Sequence, residues 1–333
     1  MNLRCSAGGL GTKLAILVIG GMLSATVQAQ SDPASGFPAK AIHLVVNFAA
    51  GGGTDIFARV IAPKMFRDAG QPVVVENRTG AGGIIGADYV AKAPADGYTL
   101  LLAPLTTMTV NPAIYPKLPY SPIRDFAPVS IVSLYPYLFV VTKSVPVRSM
   151  KELIAYAKAN PQKANYAGAS PIFQLTNVLF RMVTGASMEY VGYRSSTESV
   201  SAVMSGEVLM TLSDAPPLTG PIRNGRVLAL GVTSATRISS FPDIPTMAEL
   251  GLPNLEMSSG NGVLAPAGTP PAIVAKLQNE LIRIVKLPDV GERFRALAAE
   301  PAGGTSEEFR QFIASEISRW SAVAKAGNIK IEE

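Results

Sequence analysis

The sequence contains one cysteine, one histidine and one tryptophan among 333 residues. A structural zinc site, a disulfide bond or a Cys–His catalytic pair each requires more of these residues than the chain has. Charged residues are also few, at 16% of the total, whereas 48% are apolar. This composition excludes a disordered chain and predicts one large core or two moderate ones. We therefore expect neither a bound metal nor a disulfide.

Positive charge is present but not concentrated. The formal net charge is +5, and the Lys and Arg residues are scattered along the chain without a basic run. Nucleic-acid binding modules usually carry a basic patch or stripe together with aromatic residues for stacking. The sequence therefore predicts no nucleic-acid partner.

The first thirty residues are typical of a secretory signal. Arg4 and Lys13 precede an apolar run from Leu14 to Leu23, and small residues follow as far as Ala29. The apolar run is shorter than the roughly 20 residues of a membrane-spanning helix. We expect residues 1–29 to be a signal peptide cleaved near Ala29, which places the mature chain in the periplasm. An uncleaved anchoring helix is the alternative.

Apolar strand-like runs alternate with helix-like segments throughout the rest of the chain. The first series places strands at about 42–48, 72–76 and 98–103, with helices between them. The second series places strands at about 138–142, 165–167, 189–193, 208–212 and 227–232. Strands without polar alternation, separated by helices, indicate mostly parallel sheets covered on both faces. The pattern predicts an α/β fold with two lobes.

The C-terminal segment has the pattern of a long amphipathic helix. Thr305 and Glu308 have the spacing of a capping box, and apolar residues including Phe309 and Trp320 follow on one face. A stripe of this kind is usually buried in a core. We therefore interpret the single tryptophan as a packing residue and not as a ligand contact.

A glycine-rich loop between a strand and a helix is the most informative local feature. It reads Phe48-Ala-Ala-Gly-Gly-Gly-Thr-Asp55. Glycines allow a ligand to approach the backbone closely, and the first N–H groups of a helix attract anions. The loop lacks the lysine of a phosphate-binding P-loop and the third glycine of a dinucleotide fingerprint. It predicts a site for a small anion, although a tight turn without a ligand has the same pattern.

Catalytic patterns are weak in this sequence. No Gly-x-Ser-x-Gly motif occurs, and the one histidine, His43, lies at the start of a predicted strand. Asp55 and Asp214 each lie at a strand-to-helix turn, so an exported enzyme using them as an acid/base pair is a competing hypothesis. Helix capping by Asp55 and ordinary turn chemistry at Asp214 are the simpler interpretations.

Several segments together resemble the periplasmic solute-binding proteins of tripartite tricarboxylate transporters, the Bug or TctC family. The matching strings occupy residues 48–59, 73–83, 93–100, 111–115, 125–129, 242–249 and 264–270. The resemblance implies a type II two-lobe binding protein with the ligand cleft between its lobes and no cofactor. It implies a first lobe of residues 37–134 and 252–333 and a second lobe of residues 135–251.

The resemblance also implies which residues contact the ligand. In the first lobe they are Ala50, Gly51, Gly52, Gly53, Thr54 and Asp55, and in the second lobe they are Ser170, Gln174, Tyr193 and Asp214. The second lobe departs from the family pattern: Gln174 stands where the family has histidine, the segment 192–195 is altered, and the segment 258–262 lacks the usual tryptophan. A dicarboxylate, an amino acid, an aromatic acid and an uncharged ligand therefore all remain open.

From these features we predict a monomeric extracytoplasmic receptor. It would capture a small carboxylate in the cleft and deliver it to membrane permease subunits. A sensor domain of a signalling system is the alternative partner, because the sequence does not distinguish the two. An exported enzyme and a purely structural envelope protein are further alternatives.

Overall fold

The computed structural model describes residues 34–193 and 195–330, so the predicted signal peptide lies outside the described residues. The strands are β1 Ile42–Val46, β2 Val73–Asn77, β3 Thr99–Pro104, β4 Phe126–Tyr135, β5 Tyr137–Thr142, β6 Asn165–Gly168, β7 Glu189–Gly192, β8 Met210–Asp214, β9 Val227–Val232, β10 Ser259–Pro266 and β11 Glu300–Pro301. The helices are α1 Gly53–Ile61, α2 Ile84–Ala91, α3 Leu105–Thr109, α4 Asn111–Ile114, α5 Met150–Ala159, α6 Pro171–Thr184, α7 Ser196–Ser205, α8 Ala215–Arg223, α9 Pro271–Val285, α10 Pro288–Ala296 and α11 Ser306–Gly327.

The first sheet has six strands in the order β11-β4-β10-β3-β1-β2. Strand β1 lies between β2 and β3 and is parallel to both. Along the chain, a helical segment connects β1 to β2 and another connects β2 to β3, as parallel neighbours require. Strand β10 is antiparallel to both β3 and β4. The central strands β1, β3 and β10 are almost fully buried, as expected for strands covered on both faces.

The second sheet has five strands in the order β7-β6-β8-β5-β9. Strands β7, β6 and β8 are parallel, whereas β5 is antiparallel to β8 and β9. Each lobe is therefore an α/β unit, as predicted. Both sheets are mixed: β10 and β5 each run antiparallel to the strands on either side of them, and those flanking strands share one direction.

The chain passes between the two sheets at two places. A single residue, Pro136, separates β4 of the first sheet from β5 of the second. The return follows β9 and leads into β10, with the amide of Met257 donating to the carbonyl of Thr233 at 2.8 Å. These two passages bring the ends of β4, β5, β8 and β10 together.

Helix α11 packs into the cores of both sheets. Thr305 and Glu308 form the predicted capping box at its start, and Asn328 in the left-handed conformation ends it. Phe309 and Ile313 belong to a cluster that includes residues of β1 and β3. Trp320 is 2% exposed and packs in a different cluster, together with residues of β5 and α6. Trp320 is thus a core residue, as predicted, in contact with the second lobe.

Gly262 of β10 is required by close packing. A Cβ atom at this position would collide with the ring of Phe309 in α11. We expect Gly262→Ala to lower the free energy of unfolding by about 1–3 kcal/mol, the usual cost of overpacking. Gly220→Ala is the control, because a Cβ at Gly220 meets no neighbouring atom within 4 Å. Urea denaturation of both variants measures the difference, and equal stability of the two would contradict the packing.

Within residues 34–193 and 195–330, no helix is both long and apolar enough to cross a membrane.

Candidate functional site

The loop between β1 and α1 has a fixed and exposed backbone. Gly51 has a φ of +78°, in the left-handed region that favours glycine. The amide of Gly52 donates to the carbonyl of Ala49 at 3.1 Å, which closes the turn. Ala50, Gly51 and Gly53 are exposed, whereas Thr54 and Asp55 are buried. The loop therefore presents backbone at the surface and anchors itself through the side chains that follow.

The first amides of α1 have no hydrogen-bond partner among the described residues. The first helical hydrogen bond runs from the amide of Ile56 to the carbonyl of Gly52, at 3.0 Å. The amides of Gly53, Thr54 and Asp55 precede it, and they donate to no group among the residues that the structure describes. These N–H groups carry the positive end of the helix dipole. The start of α1 is consequently a suitable receptor for a carboxylate.

Asp55 holds this loop in place. Its carboxylate is 2% exposed and accepts hydrogen bonds from the amide of Gly51 and from Nε of Arg59, both at 2.8 Å. Nδ2 of Asn77, at the end of β2, donates to the other carboxylate oxygen at 2.9 Å and to the carbonyl of Phe48 at 3.0 Å. The Asp55 side chain thus links the loop, the helix and the neighbouring strand.

These contacts change two expectations from the sequence. The Gly51 and Gly52 amides are engaged by the protein itself, so the amides that remain for a ligand begin at Gly53. Neither Thr54 nor Asp55 caps α1. The N-cap is Gly52, which has no side chain to cap with, and Asp55 in the first turn reaches back to Gly51 instead.

The charge of Asp55 is stabilised by its partners. Burial alone raises the pKa of a carboxyl, but the hydrogen bonds from Arg59, Gly51 and Asn77 outweigh it and hold the pKa of Asp55 below its ordinary value. A carboxylate of lowered pKa with three donors is a poor proton acceptor and a poor acid at neutral pH. This geometry argues against Asp55 as one half of an acid/base pair.

Two asparagines of this site were not identified from the sequence. Asn77 joins Asp55 to Phe48, and Asn47 is fully buried directly after β1. Nδ2 of Asn47 donates to the carbonyl of Gly83 and to Oγ1 of Thr107, both at 3.1 Å. Asn47 thereby connects the end of β1 with the turn between β2 and α2 and with α3, which follows β3. The sequence feature that could have identified both asparagines is a polar residue at the end of an apolar strand.

Ser170 and Gln174 lie together at the start of α6 in the second lobe. Ser170 is the N-cap residue, but its side chain makes no capping hydrogen bond. Its carbonyl accepts from the amide of Phe173 at 3.0 Å. Gln174 is half-buried in the first turn. Neither side chain hydrogen-bonds to another residue in the described part of the chain, so both are available to a ligand.

Tyr193 is directed to another part of the second lobe. Its hydroxyl donates to Oε1 of Glu207 at 3.0 Å. Burial, followed by the Glu207 carboxylate, raises the pKa of this hydroxyl. Glu207 lies in the turn before β8, whereas Asp214 is the last residue of that strand. The structure does not bring the Tyr193 hydroxyl together with Asp214.

Asp214 is partly buried where β8 meets the crossing strands. It is paired with Tyr137 of β5 in the antiparallel register. Burial raises the pKa of its carboxyl to about 6, and a hydrogen bond from its own amide opposes this shift. No Lys, Arg or His among the described residues forms an ion pair with it. The carboxylate is therefore short of hydrogen-bond donors.

Tyr135, at the end of β4, connects Asp214 with the first lobe. Its ring stacks on Phe57 of α1, with centroids 6.0 Å apart and an interplanar angle of 5°. Its hydroxyl interacts with Ser259 and Asn261 of β10. Burial and then the negative charge of Asp214 raise the pKa of this tyrosine. The same side chain thus contacts the helix of the glycine loop and feels the charge of Asp214.

The described residues contain no group of three or more His, Cys, Asp or Glu side chains arranged to hold a metal ion.

Comparisons with known proteins agree with this description. Residues 57–329 match the family model described as "Tripartite tricarboxylate transporter family receptor". Over 320 residues the chain is 37% identical to Protein BugT of Bordetella pertussis, a match that covers 95% of this chain and 98% of that protein.

Solved structures match over a similar extent. MatC from Rhodopseudomonas palustris with bound malate is 32% identical, with a TM-score of 0.74, and covers 86% of this chain and 99% of its own. A second R. palustris protein, in complex with adipate, is 35% identical, with a TM-score of 0.78, and covers 88% of this chain and 99% of its own. These similarities confirm the predicted two-lobe α/β fold.

Proposed function

Because this chain belongs to the tripartite tricarboxylate transporter receptor family, we propose that it is a periplasmic receptor that captures a small carboxylate between its two lobes. The proposal rests above all on the amides of Gly53, Thr54 and Asp55 at the start of α1, which have no partner within the described part of the chain. Two related proteins have been solved with dicarboxylates, adipate and malate. Members of the family are binding receptors, and we propose that this chain is likewise not an enzyme.

The amides and the Thr54 hydroxyl would hold one carboxylate of the ligand. Each charge-assisted hydrogen bond contributes about 1.5–3 kcal/mol net, and the helix dipole adds up to about 2 kcal/mol in a partly buried site. A micromolar dissociation constant corresponds to about 8 kcal/mol. Two or three such bonds, together with partial burial of the ligand, account for that affinity after the cost of ordering.

Asp55 has a positioning role in this proposal. Its contacts with Gly51, Arg59 and Asn77 fix the loop before the ligand arrives. A loop that is already ordered loses less conformational entropy on binding, which favours affinity. The Asp55 carboxylate itself is engaged and does not need to contact the ligand.

The second lobe would contact the other end of the ligand. Ser170, Gln174 and Asp214 offer polar groups without strong internal partners, and the residues from 135 to 251 form the lobe that carries them. We propose that residues 37–134 and 252–333 form the opposite lobe. Closure of the two lobes about the crossing strands would bury the ligand.

The proposal extends to export and to the partner. Residues 1–29 would direct secretion and be removed near Ala29, leaving a mature chain without cysteine. The closed, liganded receptor would then dock on the membrane permease subunits of a tripartite transporter. N-terminal sequencing of the exported protein tests the cleavage site.

Gly53→Val tests the carboxylate site directly. A Cβ at Gly53 meets no atom within 4 Å, whereas one at Gly52 lies 3.0 Å from the carbonyl of Ala49 and would disturb the loop. Valine at position 53 should therefore leave the fold intact and cover the free amides. We expect affinity for the carboxylate to fall by at least about 30-fold, equivalent to one or two charge-assisted hydrogen bonds.

Thermal shift and calorimetry with carboxylates that stabilise the native protein measure this effect. Gly220→Val is the matched control, since its Cβ also has open space and it lies in α8 of the second lobe. Unchanged affinity in Gly53→Val would mean that the ligand is not held at the start of α1. Chemical conversion of the carboxylate by the native protein would instead identify an enzyme.

A further inference from the structure

The carboxyl group of Asp214 lies at the end of a strand in the proposed receptor of anions. It ends β8, close to two neutral tyrosines, Tyr135 and Tyr137, and no cationic side chain among the described residues pairs with it. A partly buried carboxylate without donors is unfavourable. The described part of its surroundings thus contains no group that neutralises it.

The position of Tyr135 relates Asp214 to the carboxylate receptor. This ring stacks on Phe57, four residues after Gly53 in the same helix, and the charge of Asp214 acts on its hydroxyl. A ligand whose carboxylate lies at the start of α1 would extend from there toward the second lobe. Asp214 is the charged group that the described second-lobe site offers to its other end.

From this juxtaposition we propose that Asp214 selects ligands that carry a protonated amine at the end opposite their carboxylate. The inference rests on the proposed function, and it names an aminocarboxylate as the ligand class. An ammonium group supplies three hydrogen-bond donors and the positive charge that Asp214 lacks. A second carboxylate would instead face a like charge in a partly buried site.

An aminocarboxylate differs from the ligands of the two R. palustris relatives, which were solved with dicarboxylates. Ser170 and Gln174, at the start of α6, can hydrogen-bond either kind of ligand, because a hydroxyl and an amide both donate and accept. Asp214 in its ionised form only accepts. The distinction between an amine and a carboxylate therefore depends on Asp214.

Matched pairs of ligands that differ only at one end test the proposal. The probes are 4-aminobutanoate with succinate, 5-aminopentanoate with glutarate, and 6-aminohexanoate with adipate, titrated calorimetrically at pH 7.5. For the pair whose chain length matches the distance between the start of α1 and Asp214, we expect the aminocarboxylate to bind at least about tenfold more tightly than the diacid. Asp214→Asn should reduce or reverse this preference, and Asp243→Asn, an exposed control in the same lobe, should retain it.

The possible outcomes separate the inference from the proposed function. Preference of the native protein for the diacids would overturn the inference and leave carboxylate capture intact. A preference for amines that survives in Asp214→Asn would also overturn it.

Mass spectrometry of small molecules that co-purify with the native protein covers the case in which no probe binds. A co-purified carboxylate with an amine, bound more weakly by Asp214→Asn, supports the inference, and one without an amine overturns it. If no carboxylate binds or co-purifies, the proposed function fails, and the inference fails with it.

Discussion

Asp55→Ala is expected to lower stability and to abolish carboxylate binding together. The substitution removes the acceptor of three hydrogen bonds, from Gly51, Arg59 and Asn77. Removing one partner of a buried charged network costs about 3–5 kcal/mol, and the cost should be smaller here because Arg59 is 54% exposed. We expect a loss of about 2–3 kcal/mol in the free energy of unfolding. The loop without its anchor should no longer present the amides of α1.

Asp125 provides a closely matched control for this variant. Its carboxylate also accepts from an amide four residues earlier, that of Ser121, and from the Nε of an adjacent arginine, Arg124, both at 2.8 Å. It lies outside the glycine loop. Asp125→Ala should therefore lose some stability and keep full ligand affinity. Urea denaturation and calorimetry would contradict our account if Asp55→Ala still bound the ligand as tightly as Asp125→Ala does.

The contribution of Asp55 should also depend on pH. Its folded-state pKa lies below the ordinary value of 3.8. For a carboxyl of lowered pKa, the stabilisation is fully present above the unfolded pKa and is lost as the pH falls through the folded pKa. The difference in stability between the native protein and Asp55→Ala should accordingly persist at pH 5 and diminish below about pH 4.

Asp214→Asn is expected to have the opposite effect, a gain of stability in the unliganded protein. The pKa of Asp214 is raised from 3.8 to about 6, so the folded state binds its proton more tightly than the unfolded state does. Native stability should therefore fall as the pH rises from about 4 to about 6 and stay lower above that range. The shift corresponds to at most about 3 kcal/mol. Asparagine has nearly the same shape and carries no charge to desolvate.

Denaturation at pH 4.5, 6 and 7.5 measures this effect. We expect Asp214→Asn to exceed the native protein by about 1–3 kcal/mol at pH 7.5 and by about a third of that difference near pH 4.5. Asp243→Asn, at an exposed position of the same lobe, should follow the native protein throughout. A constant difference between Asp214→Asn and the native protein at all three values would show that the carboxyl is not destabilised by burial.

The fold was largely predictable from the sequence because local patterns determine it. Unbroken apolar runs marked β1, β3 and β9, and glycine or capping residues marked the ends of the helices between strands. The direction of β5 and β10 was not predictable. Both are antiparallel to the parallel strands beside them, and that orientation follows from the path of the chain between the sheets and not from residue periodicity.

The candidate site was predictable in position but not in detail. The glycines and Asp55 indicated an anion receptor after β1, yet the engagement of Gly51 by Asp55 depends on a side-chain conformation. The part played by Asn77 depends on the register that places it beside Val46. Sequence spacing contains neither kind of information.

The ligand contacts of the second lobe were harder to predict from the sequence than those of the glycine loop. Tyr193 follows a strand, as binding residues often do, but its side chain packs within the lobe and reaches Glu207. The environment of Asp214 arises from Tyr135 and Tyr137, which lie on separate strands of different sheets. Such a cluster exists only after both sheets have formed.

The placement of α11 has a consequence for how the protein unfolds. One end of this 22-residue helix contributes Phe309 and Ile313 to one core, and the other end contributes Trp320 and Val323 to the other. If the core around one sheet unfolded and α11 unfolded with it, the other core would lose the apolar side chains that α11 contributes to it. The two halves should therefore denature cooperatively, giving a single calorimetric transition despite the two separate sheets.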